Sequence, residues 1–191
     1  MEFIHNLYYQ HPTALVYGKV SIAGESSLWP YSVIRAEINE VIIGRRVNIQ
    51  DFVMIHVGEK HPVIIGENTS ITHRVVIHGA KIGKNCLIGI GAILMDGCEI
   101  GDNSIVAPGA LVRENMVFEP NSLIIGSPAK KLSSFNYGEA NFRNALAYLE
   151  NAKGYVNQNY TIWSNLEFRK RMEAGLNQSI NTEFLQEAAT N

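Results

Sequence analysis

A period of six residues constrains this chain more than any other feature. Ile-Gly steps recur at Ile43-Gly44, Ile65-Gly66, Ile82-Gly83, Ile88-Gly89 and Ile100-Gly101. Counting in sixes between residues 16 and 126 sorts the aliphatic positions into three series. The first is Ile22, Ile43, Ile65, Ile82, Ile100 and Phe118; the second is Leu28, Ile49, Ile71, Ile88 and Val106; the third is Ile34, Ile55, Ile77, Leu94 and Val112. The steps from first to second and from second to third are always six residues, whereas the return to the first is 9, 10, 5, 6 and 6. Confining all irregularity to one of three joints is the mark of a triangular coil, because loops can leave at one corner without disturbing the stack. Each coil then offers three short strands, hydrogen-bonded to the next coil about 4.8 Å away. The expectation is a parallel β-helix whose coils bury their apolar faces on one another. An amphipathic helix would need spacings of three and four, and a sandwich would need longer strands with regular hairpins.

The pattern stops after Gly126-Ser127-Pro128, which divides the chain into a β-helix over 1–130 and a helical segment and tail over 131–191. Phe142, Leu146 and Leu149 predict a helix over 138–153 that packs along the solenoid wall. Leu166, Phe168 and Met172 mark a weaker helical stretch over 162–175, and 177–191 reads as a short helix or a loose tail.

Composition excludes several classes. A net charge of -2 argues against a broad basic face for nucleic acid. No apolar run approaches the roughly 18 residues of a membrane helix. The start, Met1-Glu2-Phe3-Ile4-His5-Asn6, lacks the pattern of a secretion signal. Cys86 and Cys98 do not form a disulfide framework and read as small buried apolar groups, so the expected setting is a reducing cytoplasm. Charged residues are only 18%, below the roughly 25% of typical soluble domains, which fits a surface partly covered by further copies of the chain.

The coil register aligns side chains. The outward residue after each third-series aliphatic reads Arg35, His56, His78, Met95, Arg113. His56 and His78 thus become vertical neighbours about one strand spacing apart, close enough for their nitrogens to converge on one ion with a modest tilt. His73 lies near another corner and diverges from His78 within one chain. It can join the pair only if a second copy of the chain supplies it, as a threefold ring would allow.

The runs Ile34-Arg35-Ala36-Glu37, Asn48-Ile49-Gln50-Asp51, Ile55-His56, Thr72-His73, Ile77-His78-Gly79 and Gly126-Ser127-Pro128-Ala129-Lys130 resemble the γ-class carbonic anhydrase family of hexapeptide-repeat proteins. The resemblance covers roughly residues 10–155. It implies left-handed coils, a homotrimer, and zinc, iron or cobalt held by His56, His73 and His78. It implies hydration of CO2 to bicarbonate by hydroxide generated on that metal. Gln50 would hold water or substrate with Asn48 nearby, Glu37 would help orient CO2, and Arg35 and Asp51 would form an ion pair important to trimer assembly. Tyr148 resembles a family tyrosine near the metal. The family often has Asp where this chain has Glu37. The loop Val57-Gly58-Glu59-Lys60-His61-Pro62 is short compared with the long acidic loop of the best-characterised members, leaving Glu59, His61 and Glu37 as proton-relay candidates. Metal-dependent acyl-CoA thioester hydrolysis, acyl transfer and a non-catalytic trimeric scaffold are the alternatives.

Overall fold

Coil-to-coil pairing follows the three series residue for residue. In a computed structural model, which describes residues 7–166 and 168–170, Ile22 pairs with Ile43, Ile43 with Ile65, Ile65 with Ile82, Ile82 with Ile100, and Ile100 with Phe118. The second series stacks in the same way and is continued by Ile124 above Val106. The third stacks from Ile34 to Val112 and is extended below by Val16. All sixteen series members lie in one buried core. The parallel β-helix is therefore built on a spine of aliphatic ladders, each fully buried member contributing about 1.5–3 kcal/mol of transfer free energy.

The corners turn through left-handed backbone. One corner stacks Glu25, Arg46, Asn68, Asn85, Asn103 and Asn121, with φ between 52° and 62°. Asparagine tolerates this region better than most residues because its short amide bonds locally. A second corner stacks Tyr31, Phe52, Arg74, Gly91 and Gly109 in the same conformation. The third corner is where the long returns leave. There the strand Val33–Ile43 runs through the bend, pairing with Met54–His56 at one end and Val63–Ile65 at the other. At eleven residues it is the longest strand described, followed by its eight-residue neighbour Leu15–Ile22, whereas most coil strands have two or three residues. It merges two faces of the prism into one continuous ten-stranded sheet.

The chain then reverses. Lys130–Ser134 lies antiparallel on Ser122–Ile125, a strand the periodicity does not announce. It covers the exposed edge that an open solenoid would otherwise present. The helix α1 spans Gly138–Val156, three residues beyond the predicted 153. It lies against the face made by Tyr9–Gln10, Ser27–Leu28, Asn48–Ile49 and Ser70–Ile71. Phe142, Ala145, Leu149 and Ala152 form its buried stripe, and Asn141 Nδ2 donates to the carbonyls of Asn85 and Ser104. Beyond it come a 3-10 turn at Ile162–Ser164 and a helical segment beginning at Leu166, in which Phe168 is buried. Met172 and the stretch 177–191 lie outside the described residues. Among those described, no helix is long and apolar enough to cross a membrane.

Candidate metal centre

The outward column of the third face stands as the register requires. Arg35 pairs with His56, and His56 with His78, in adjacent parallel strands. The two imidazoles tilt by 58° and bring His56 Nδ1 within 3.1 Å of His78 Nε2. Ligand nitrogens on a tetrahedral zinc lie roughly 3.4 Å apart, so the pair is already spaced for one ion.

Carboxylates flank this pair. Asp96 Oδ2 lies 2.8 Å from His78 Nδ1. A carboxylate only accepts, so Nδ1 of a neutral His78 carries the proton and its Nε2 keeps a lone pair. At the other end Glu37 Oε2 lies 3.2 Å from His56 Nε2, while Glu37 Oε1 accepts from Arg35 Nη1 at 2.8 Å. The Glu37 carboxyl is held below its ordinary value by hydrogen bonding at its own backbone first, against some desolvation, and then by Arg35 and His56.

Asp96 is the residue that sequence reasoning missed. Its side chain fills the gap between two glycines: a Cβ on Gly58 would stand 2.0 Å from its Oδ1, and one on Gly79 would stand 2.2 Å away. That Oδ1 is buried without a hydrogen-bond partner among the described residues. The signal was available in principle, since Asp96 follows Met95, the next member of the histidine column.

His73 occupies the second corner, directly above Asp51 by the same 22-residue offset that joins His56 to His78. Asp51 Oδ2 lies 3.0 Å from His73 Nδ1, which again leaves Nε2 of a neutral ring with its lone pair. Arg35 and Asp51 do not meet within one chain: Arg35 reaches Glu37, and Asp51 reaches His73. Gln50 and Asn48 are buried, and Gln50 Nε2 donates to Asn48 Oδ1, whose Nδ2 donates on to Ser70 Oγ. Tyr148 lies at a groove of about 510 Å³ that also takes in Asp51 and His73. Its ring stands edge-on to Trp29 and Trp163, and its hydroxyl is pushed up to about 12 by burial, then by Asp51 and Tyr155.

The structure thus brings His56 and His78 together and holds His73 apart from them. No three histidine, cysteine or carboxylate side chains converge as a metal site among the described residues. Glu59 is exposed on a tight reversal closed by mutual Gly58–His61 backbone bonds, and Asn39 ties that loop through the Gly58 and Glu59 carbonyls. None of these bonds brings the Glu59 carboxylate to the histidines. His61 instead packs over Gly79 and Gly97.

Comparison with known proteins points the same way. Residues 79–114 match the bacterial transferase hexapeptide (six repeats) family model. The chain is 44% identical over 127 residues to Protein YrdA of Escherichia coli, covering 63% of this chain and 69% of that one. It is 45% identical over 139 residues to the "Probable carbonic anhydrase" of Methanocaldococcus jannaschii, covering 72% and 87%. A Bacillus cereus crystal structure with an acetyltransferase name superimposes with a TM-score of 0.76 at 31% identity, over 81% of this chain and 90% of that one. Stacked histidines on a left-handed parallel β-helix, together with these relatives, place the chain in the γ-class carbonic anhydrase-like family of hexapeptide-repeat proteins.

Proposed function

We propose that this protein is a trimeric, metal-dependent hydratase that converts CO2 to bicarbonate in the cytoplasm, with one site at each subunit interface. The observation that carries the reading is the 3.1 Å approach of His56 Nδ1 to His78 Nε2, with Asp96 fixing one ring and Asp51 fixing the His73 ring. Carboxylates behind histidines are the usual outer support of a metal site. The donor set, three imidazoles, suits zinc, and also iron or cobalt.

A trimer is supported by the face that bears the column. Beside the histidines runs an outward ladder of Leu15, Val33, Met54, Val76, Ile93 and Leu111, paired coil to coil. Leu15, Val76 and Ile93 are 44%, 37% and 38% exposed in the single chain. Such a stripe is costly to leave in water and suits a second copy. That copy would bring its His73 corner to the His56–His78 column, with Arg35 and Asp51 meeting across the junction.

When bound, a divalent ion lowers the pKa of water from about 15.7 toward about 7 and so supplies a nucleophile for CO2 at neutral pH. Gln50, fixed by Asn48, would present its amide to the oxygens of CO2 or bicarbonate. Glu37, ionised and anchored by Arg35, would accept a proton beside His56 and pass it to solvent. Glu59 and His61, which make no hydrogen bond with the histidines, would serve as further carriers only through bridging water, and Tyr148 would close the wall of the groove.

The test is metal analysis of untagged protein followed by stopped-flow CO2 hydration. About one metal per chain, lost in His56→Ala and His73→Ala alike, with hydration that depends on it, is the expected result. A metal-loaded protein that hydrolyses acyl-CoA but leaves CO2 untouched would favour thioester hydrolysis. Acyl transfer without metal would favour the transferase reading suggested by the fold's other members, and a metal-loaded trimer inactive in every assay would favour a scaffold.

A further inference from the structure

The face beneath α1 buries polar side chains that packing alone does not require. The residue before each second-series aliphatic stacks coil on coil as Ser27, Asn48, Ser70, Leu87, Ile105 and Leu123. This column is polar only in its three lower coils, and two of those coils carry Asp51 and His73. Ser27, Asn48 and Ser70 are buried, and α1 contacts all three of their strands. Apolar residues fill the same position higher up, so the coil itself tolerates them.

Two of these rows form one chain of hydrogen bonds. Gln50 Nε2 donates to Asn48 Oδ1 at 2.9 Å, and Asn48 Nδ2 donates to Ser70 Oγ at 2.8 Å. The row below stands by itself, with Trp29 Nε1 donating to Ser27 Oγ at 3.0 Å. Ser70 is therefore the far anchor of the chain. While its hydroxyl accepts, the Asn48 amide keeps its nitrogen toward Ser70 and its oxygen toward Gln50, and Gln50 keeps its nitrogen toward Asn48. Gln50 Oε1 and its second Nε2 proton are then left without partners among the described residues. The next residue, Asp51, holds the His73 ring. A buried hydrogen-bonded pair adds little over apolar groups of the same shape, so what this chain supplies is orientation.

We propose that Ser70 is a positioning residue: acting through Asn48, it fixes the Gln50 carboxamide in the orientation that leaves Oε1 and one Nε2 proton for substrate. The proposal rests on the reading of Gln50 as the group that orients CO2 or bicarbonate. Ser70 itself is fully buried, and its hydroxyl bonds only Asn48 among the described residues.

Side-chain amide NMR of the 15N-labelled protein reports on the chain directly. The carboxamide protons of Gln50 and Asn48 are identified by their loss in the near-isosteric variants Gln50→Met and Asn48→Leu. Ser70→Ala should speed the exchange of both with solvent about tenfold, the size of one lost neutral hydrogen bond. Ser70→Thr keeps the hydroxyl and should retain wild-type exchange. Ser27→Ala removes an equally buried hydroxyl under the same helix and should leave both pairs unchanged. Ser70→Cys, with only a weak acceptor, takes the place of the alanine variant if that one fails to fold. In CO2 hydration Ser70→Ala should lower kcat about tenfold and should cost nothing further in a Gln50→Ala background. Unchanged Gln50 exchange in Ser70→Ala, the same acceleration in Ser27→Ala, or an additive loss in the double variant overturns the proposal. The exchange rates need neither metal nor turnover. A protein inactive toward CO2 would sink the hydratase reading alone, and those rates would still decide whether Ser70 holds Gln50.

Discussion

Asp96 Oδ2 stands 2.8 Å from His78 Nδ1, reaching from the neighbouring coil through a gap left by two glycines. This contact settles which nitrogen of a neutral His78 is free. Removing the carboxylate by Asp96→Ala should lower metal affinity by about 10–100-fold, the usual cost of losing an outer partner. Asp96→Asn keeps an acceptor but not the charge and should fall between. Competition with a chromophoric chelator measures both, and wild-type affinity in the alanine variant would remove Asp96 from the site.

The gap itself is testable. Gly79 has a φ of 58°, and a Cβ there would meet Asp96 Oδ1 at 2.2 Å and His61 Cβ at 2.8 Å. Gly91 has a φ of 68° with nothing within 4 Å. Gly91→Ala should therefore cost only backbone strain, about 1–2 kcal/mol. Gly79→Ala should cost more in a urea melt and should also weaken metal binding, which Gly91→Ala should leave unchanged.

The outward ladder predicts an oligomer that one charge can break. Val76 sits at its middle, between Met54 and Ile93. Val76→Glu points a carboxylate outward without entering the core, so the chain should stay folded by circular dichroism and elute as a monomer. Metal content should fall with it, since His73 would no longer arrive. A folded trimer in this variant would show that copies meet elsewhere.

Cys86 and Cys98 are buried, and burial is the main cause pushing both thiols up to about 12. Thiolate is the reactive form, so neither should react with a thiol reagent at pH 8 or 9 while the protein is native. Both should react once denaturant opens the coils. Fast labelling of the native protein would show that the core near these positions opens readily.

Glu25 carries the acid-side dependence of one corner. Burial raises its carboxyl, but hydrogen bonds from Arg45 and Arg46 outweigh that and leave it lowered. A lowered carboxyl stabilises the fold above its ordinary range, and that share is lost as pH falls through the lowered value. With the group largely solvated, the share is under about 1 kcal/mol. Glu25→Gln should lower the melting temperature slightly at pH 7 and bring no extra loss below pH 4, where the wild type declines toward it.

Much of this was legible along the chain. An offset of 17 to 22 residues between coils is the same fact as spatial adjacency, so Ile55 over Ile34 and His78 over His56 follow from counting. The strand Lys130–Ser134 was not legible, because its residues are exposed and carry no apolar alternation. Asp96 was missed because it reaches His78 diagonally, one residue off the column, through space that only two absent side chains provide. Gly89 stands in one of the Ile-Gly steps, and its φ is not positive. There a Cβ would strike the backbone of Pro108 at 2.5 Å, so what it supplies is room between coils.

The sequence by itself determined the solenoid, its three ladders and the pairing of His56 with His78, because periodic burial is a one-dimensional property that stacking converts directly into neighbours. Only the tertiary structure decided that Asp96 and Asp51 stand behind the histidines, that Arg35 turns to Glu37, and that α1 and the turn after it set Tyr148, Tyr155 and Trp163 along the groove beside His73. Those contacts depend on how side chains bend across coils and where a helix docks, and neither is written in a period of six.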